Sequence, residues 1–134
     1  MKVVLDSNIL IAAFATRGLC SDIYELCLSE HKVILSHPII QEVHANLVKK
    51  LKLKPSVADS IRKYLASAAE VVNPSHVPQN SCRDKSDLVI LGTAVAGEAD
   101  IIISGDNDLL TLNEFRSILI LSPRQFWNTM QKRT

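Results

Sequence analysis

A chain of 134 residues is long enough for one ordinary domain and too short for two, and it can bury roughly two-thirds of its unfolded surface without disulfide or metal staples. At 47% hydrophobic and 22% charged residues it is not a disordered chain, and 15 Lys+Arg against 14 Asp+Glu, a formal charge of +1, show none of the basic excess of a generic nucleic-acid-binding domain. No apolar run approaches a membrane span, Asp6 interrupts Val3, Val4 and Leu5 too early for a leader peptide, and Cys20, Cys27 and Cys82 form no C-x-x-C pair, so a protein of the reducing cytoplasm, outside any membrane, is expected.

Lys2-Val3-Val4-Leu5 reads as a first buried strand, with Ser7 or Asn8 placed to cap a helix through Ala15. A second helix is expected over about Leu19 to Ser29, with Cys20 and Cys27 two turns apart as small core residues, and Val33-Ile34-Leu35 is the second strand. His37-Pro38 starts a helix that runs through Glu42 and Leu47 towards Lys54 and stops before Pro55, and Ser56 caps the next, to about Ala69. Glu70-Val71-Val72 is a short third strand, followed by a polar loop carrying Pro74 and Pro78. Ser86 opens a helix over 87–97 that is apolar nearly all round, and hence central and buried. Ile101-Ile102-Ile103 is the fourth strand, Gly105 to Asp108 a turn, and Ile118-Leu119-Ile120-Leu121 the fifth strand, before a last helix capped by Ser122. Short β-branched runs alternating with longer helical stretches predict an α/β fold with a central parallel sheet of about five strands, in a single domain over 1–134.

Ligands of such sheets bind beyond the carboxyl ends of the strands. Asp6 follows strand one, Glu42 lies early in the helix after strand two, Asp84 and Asp87 open the helix after strand three, and Asp106 and Asp108 follow strand four. All six can therefore converge on one end of the sheet. Clustered carboxylates repel, and the simplest compensation is a hard divalent cation, Mg²⁺ or Mn²⁺, whose chemistry points to phosphate esters. Taken singly, each acid also reads as a helix cap or an ordinary turn residue. Capping fits the set less well, because Glu42 sits within its helix beside Ile39, Ile40 and Val43 and caps nothing. The four histidines form no H-E-x-x-H and read as surface residues, and the isolated glycines make no phosphate loop.

The runs Val4-Leu5-Asp6-Ser7-Asn8-Ile9-Leu10-Ile11, Ile39-Ile40-Gln41-Glu42-Val43, Cys82-Arg83-Asp84-Lys85-Ser86-Asp87 and Ile102-Ile103-Ser104-Gly105-Asp106-Asn107-Asp108-Leu109-Leu110 together resemble a PIN domain. They are most similar to the bacterial and archaeal PIN proteins of toxin–antitoxin pairs, the VapC-like ribonucleases. The resemblance covers nearly the whole chain, in order and at typical spacing. It implies a three-layer α/β/α architecture and a metal-dependent endoribonuclease. Asp6, Asp87 and Asp106 would then hold one or two Mg²⁺ or Mn²⁺ ions, with Glu42 a ligand or water-orienting group, and in-line cleavage would leave a 5′-phosphate. By position, Asn8 and Ser104 match polar residues near the site, and Asp84 and Asp108 match auxiliary acids. It further implies an RNA substrate, a cognate antitoxin protein, and a homodimer or higher oligomer. Lys85 and Leu88 depart from the family's usual residues, which bears on the shape and charge of the substrate entrance and leaves the four main acids intact.

RNA must reach this negative site by attraction elsewhere, and Lys49, Lys50, Lys52 and Lys54, on the helix that carries Glu42, are the candidate phosphate contacts. A solvated helix face is the plainer reading of the same run. Two rival functions remain. A haloacid-dehalogenase-type phosphatase needs Asp-x-Asp after the first strand, where Asn8 stands in place of the second Asp; a non-catalytic binding module of the same fold would not need the four acids.

Overall fold

The apolar runs become the strands, and their burial explains their composition. In the computed structural model, which describes residues 1–132, β1 (Lys2–Leu5), β2 (Lys32–Ser36), β3 (Glu70–Val72), β4 (Ile101–Ile103) and β6 (Ile118–Leu121) align in parallel, and β5 (Glu114–Phe115) pairs antiparallel with β6. The order across the sheet is β3-β2-β1-β4-β6-β5. Val4 stands opposite Ile34 on one side and Ile102 on the other, and all three side chains are fully buried. A strand covered on both faces has no polar alternation to show, which is why β1 and β4 read as unbroken apolar runs.

Among the described residues seven α-helices connect and cover the strands: α1 (Ser7–Ala15), α2 (Leu19–Glu30), α3 (His37–Lys49), α4 (Pro55–Ala68), α5 (Lys85–Ala96), α6 (Asn107–Leu110) and α7 (Pro123–Lys132). The right-handed connection general to parallel strands puts the helices between β1, β2 and β3 on one face, and α5, after β3, packs on β1, β2 and β4 from the other. The result is a three-layer α/β/α arrangement. The chain steps outward from β1 to β3 and then returns across β1 to β4, so the strand order reverses between β1 and β4. The carboxyl ends of that pair are the place where such sheets open a crevice.

Several element boundaries differ from those the sequence predicts. α3 stops at Lys49, not near Lys54, because Lys52 adopts a left-handed conformation (φ 58°) and the Leu53 N–H turns back to the Leu47 carbonyl at 3.0 Å. Lys54, not Ser56, caps α4: its carbonyl takes the N–H groups of Val57 and Ala58 at 2.9 and 3.0 Å, and Pro55 fills the first helical position. The expected turn at 105–108 leads into a one-turn helix, α6, that runs on to Leu110, and the strand β5 follows it. The β5–β6 hairpin turns through Arg116 and Ser117, both with positive φ (49° and 69°). That is the backbone of a primed hairpin turn without its usual Asn-Gly signature, which hid the sixth strand. Among the described residues no helix is long and apolar enough to cross a membrane.

Candidate metal centre

Helix capping and carboxylate clustering, two competing readings of the sequence, are one geometry in the structure. Asp6, rather than Ser7 or Asn8, caps α1, its Oδ1 accepting the Ile9 N–H at 2.9 Å. Asp84 caps α5, accepting the Ser86 N–H at 3.0 Å and the Ser86 hydroxyl at 2.8 Å. Asp106 caps α6, accepting the Asp108 N–H at 2.8 Å. Each cap satisfies an orphan donor at a helix N-terminus. Because the helices start at the carboxyl edge of the sheet, the three caps also gather their carboxylates there. Asp87, in the first turn of α5, and Glu42, in α3, cap nothing and are carried to the same place.

These residues line a cavity of about 230 Å³ over the β1–β4 crevice: Asp6, Asn8, Glu42, Asp84, Asp87 and Asp106, with Ser7, Ser86 and Ile90, and with Asn46 and Lys50 on the α3 side. Asp6 and Asp87 are each only 5% exposed. Burial, followed by the charges of Asp106 and Asp84, pushes the Asp87 carboxyl from its ordinary 3.8 to about 7. Burial also raises Asp6, against the lowering effect of its hydrogen bonds to Ser104 and Ile9, and the charges of Asp106 and Glu42 add to the rise. Asp84, at the rim, lies below its usual value because the Ser86 N–H and hydroxyl hold the charged form. Among the described residues, no Lys or Arg nitrogen lies within 4.0 Å of any cavity carboxylate.

Such a donor set suits a hard divalent cation: it is all oxygen, it is negatively charged, and two of its members carry a burial penalty that a cation would relieve. The tightest group of ligand atoms among the described residues is Asp84, Asp87 and Asp108, one oxygen from each lying within 4.8 Å of the others. Asp108 therefore sits beside Asp87 even though it is not part of the cavity lining. Fully buried beneath the floor, Ser104 donates its hydroxyl to Asp6 Oδ2 and accepts the Asp106 N–H at 3.0 Å, tying the acids after β1 and β4 together.

Of the four lysines in the basic run, Lys50 alone lines the cavity; Lys49, Lys52 and Lys54 are exposed outside it. His44 is not a free surface histidine, since its Nε2 meets Asp59 at 2.9 Å and joins α3 to α4. Two residues escaped the sequence reading. Asn46, four after Glu42 and so on the same face of α3, lines the cavity, and that spacing was the available signal. Cys82 is buried with its thiol 3.9 Å from Asp87 Oδ2 and 3.6 Å from the Asp108 carbonyl, linking the start of α5 to α6; no local pattern marks it.

A family model described as a PIN domain matches residues 2–108. Several solved structures share the fold, and two illustrate it. One is VapBC2 from Rickettsia felis bound to a DNA fragment from its promoter, with TM-score 0.65 and 14% identity over 91% of this chain and 98% of that one. The other is VapBC-1 from nontypeable Haemophilus influenzae, with TM-score 0.65 and 15% identity over 92% of this chain and 99% of that one. No curated protein sequence matches significantly.

Proposed function

Given that the chain belongs to the PIN domain family, we propose that it is a Mg²⁺- or Mn²⁺-dependent endoribonuclease and the toxin component of a toxin–antitoxin pair. The observation that carries this reading is the pair of buried carboxylates, Asp6 and Asp87, raised above their ordinary values among further acids with no lysine or arginine beside them. Carboxylates gathered in one cavity with no lysine or arginine paired to them are a poor device for stability and a good one for a divalent ion.

In this proposal Asp6, Asp87 and Asp106 are the ligands, Glu42 is a further ligand or orients water, and Asp84 and Asp108 support Asp87 from the rim. A bound divalent ion would neutralise the cluster, polarise a phosphoryl oxygen and activate water for in-line attack on a phosphodiester. Ser104 holds Asp6 in position, and its acceptance of the Asp106 N–H fixes the two acids relative to each other. Asn8, at the start of α1, offers a neutral amide at the cavity mouth. Lys49, Lys52 and Lys54 supply electrostatic attraction for an RNA backbone outside the cavity, and Lys50 within it. An antitoxin partner, self-association, a cytoplasmic setting and a single domain over 1–134 belong to the same proposal. Residues 133–134 lie outside the described ones.

The test is induced expression of the wild type and Asp6→Asn in a bacterial host, with sequencing of RNA ends and Mn²⁺ titration of both purified proteins. New 5′-phosphate ends and growth arrest with the wild type alone support the proposal. Identical RNA ends from the two proteins would overturn the nuclease assignment. Mn²⁺ binding without any cleavage would favour the non-catalytic module.

A further inference from the structure

The cavity has two unlike walls. The strand-end wall carries the acids; the α3 wall carries Glu42, Asn46 and Lys50, spaced by four along one face of the helix. Lys50, the C-cap residue of α3, lines the same cavity as Asn46, Glu42 and the acids. Lys50 Nζ nevertheless makes no ion pair within 4.0 Å among the described residues. The Asn46 side chain likewise makes no hydrogen bond among the described residues, while its backbone carbonyl accepts the Lys50 N–H at 2.8 Å and the Leu51 N–H at 3.3 Å. A cation and an amide donor thus stand at the mouth of an acidic cavity without being consumed by it. If Lys50 served only to neutralise the acids, it would be found against one of them. On the nuclease reading above, we propose that Asn46 and Lys50 form the substrate wall of the site and clamp a backbone phosphate of the bound RNA strand beside the carboxylates. The ammonium supplies the charge that the strand needs to approach the acids, and the amide fixes the orientation of the phosphate.

The experiment uses the full chain loaded with Mn²⁺ and a single-stranded oligoribonucleotide of mixed sequence, comparing wild type with Lys50→Ala, Lys50→Arg and Asn46→Ala. Lys32→Ala, at the opposite end of the sheet, is the control. Lys50→Ala should raise KM about 10-fold with a smaller change in kcat. It should also lower the slope of log KM against log salt by about 0.7, the value for one phosphate contact on a single strand. Lys50→Arg should restore most of both, Asn46→Ala should raise KM about 5-fold, and Lys32→Ala should leave both unchanged. Mn²⁺ affinity by calorimetry should stay the same or tighten in Lys50→Ala. The clamp is overturned if Lys50→Ala keeps the wild-type KM and salt slope, if Lys50→Arg behaves like Lys50→Ala, or if Lys50→Ala loses Mn²⁺ binding. Should the wild type bind the oligoribonucleotide without cutting it, the nuclease reading falls, and the same variants decide the clamp by affinity. Should the Mn²⁺-loaded wild type fail to bind it, the clamp falls as well.

Discussion

The two ends of the sheet carry similar numbers of charges and treat them in opposite ways. At the amino end, Met1, Lys2, Glu30, His31, Lys32, Glu98 and Asp100 surround an open cleft of about 490 Å³, larger than the cavity at the carboxyl end. Its charges are mixed in sign and exposed: Lys32 meets Glu70 at 3.0 Å, and Asp100 accepts the Lys2 N–H at 2.8 Å. The carboxyl end collects carboxylates of one sign, buries two of them and pairs none with lysine or arginine among the described residues. Size is therefore a poor guide to the site. The informative feature is charge that the fold leaves uncompensated, because keeping it there costs stability unless something binds.

The strongest way to break this contrast is to remove an uncompensated charge. Asp87→Asn should fold and should lower Mn²⁺-dependent RNA cleavage by more than about 100-fold, measured on a labelled oligoribonucleotide. A variant retaining more than a tenth of wild-type cleavage would remove Asp87 from the proposed ligand set.

The next effect concerns pH. Because Asp87 titrates near 7 in the fold and near its ordinary 3.8 in the unfolded chain, the folded protein holds a proton between those values that the unfolded chain has released. Asp6 is shifted in the same direction. Metal-free protein should accordingly lose stability as pH rises from about 4 to about 7, while Mn²⁺ should raise the melting temperature more at pH 7.5 than at pH 5, where its ligands are partly protonated. Melting curves at the two pH values, with and without Mn²⁺, check both; a metal-free stability that rises through this window would contradict the uncompensated cluster.

A smaller effect separates fold from chemistry. Gly92, in α5, lies under the segment after β3: the Ser75 N–H bonds to its carbonyl at 2.9 Å, and a Cβ at Gly92 would collide with the Ser75 carbonyl oxygen. Gly92→Ala should cost about 1–3 kcal/mol by chemical denaturation while leaving the cleavage rate of the folded fraction unchanged. The smallest effect lies at the amino end. Lys32→Ala removes an exposed ion pair and should barely move the melting temperature or the activity; a large loss of activity would show that the two ends are not functionally distinct.

Much of the fold was legible in the sequence because buried parallel strands and their helices write periodicity directly into residue order. β1, β2, β4 and the apolar helix α5 appear where their patterns place them. The hidden parts depend on backbone conformations that ordinary residues adopt under tertiary constraint: the left-handed Lys52 that ends α3 early, and the positive φ of Arg116 and Ser117 that makes a hairpin without glycine. The acids were likewise visible as a set, since each follows a strand and parallel strands bring those positions together.

The sequence by itself determined the α/β class, the parallel core and the shared end of Asp6, Glu42, Asp87 and Asp106, because local periodicity and the handedness of crossovers leave few alternatives. Only the tertiary structure decided that the caps and the cluster are the same carboxylates, that Cys82 and Ser104 hold them, and that Lys50 alone among its neighbouring lysines faces them. The reason is that burial, and with it the electrostatic cost of each charge, depends on what packs against a residue from distant parts of the chain.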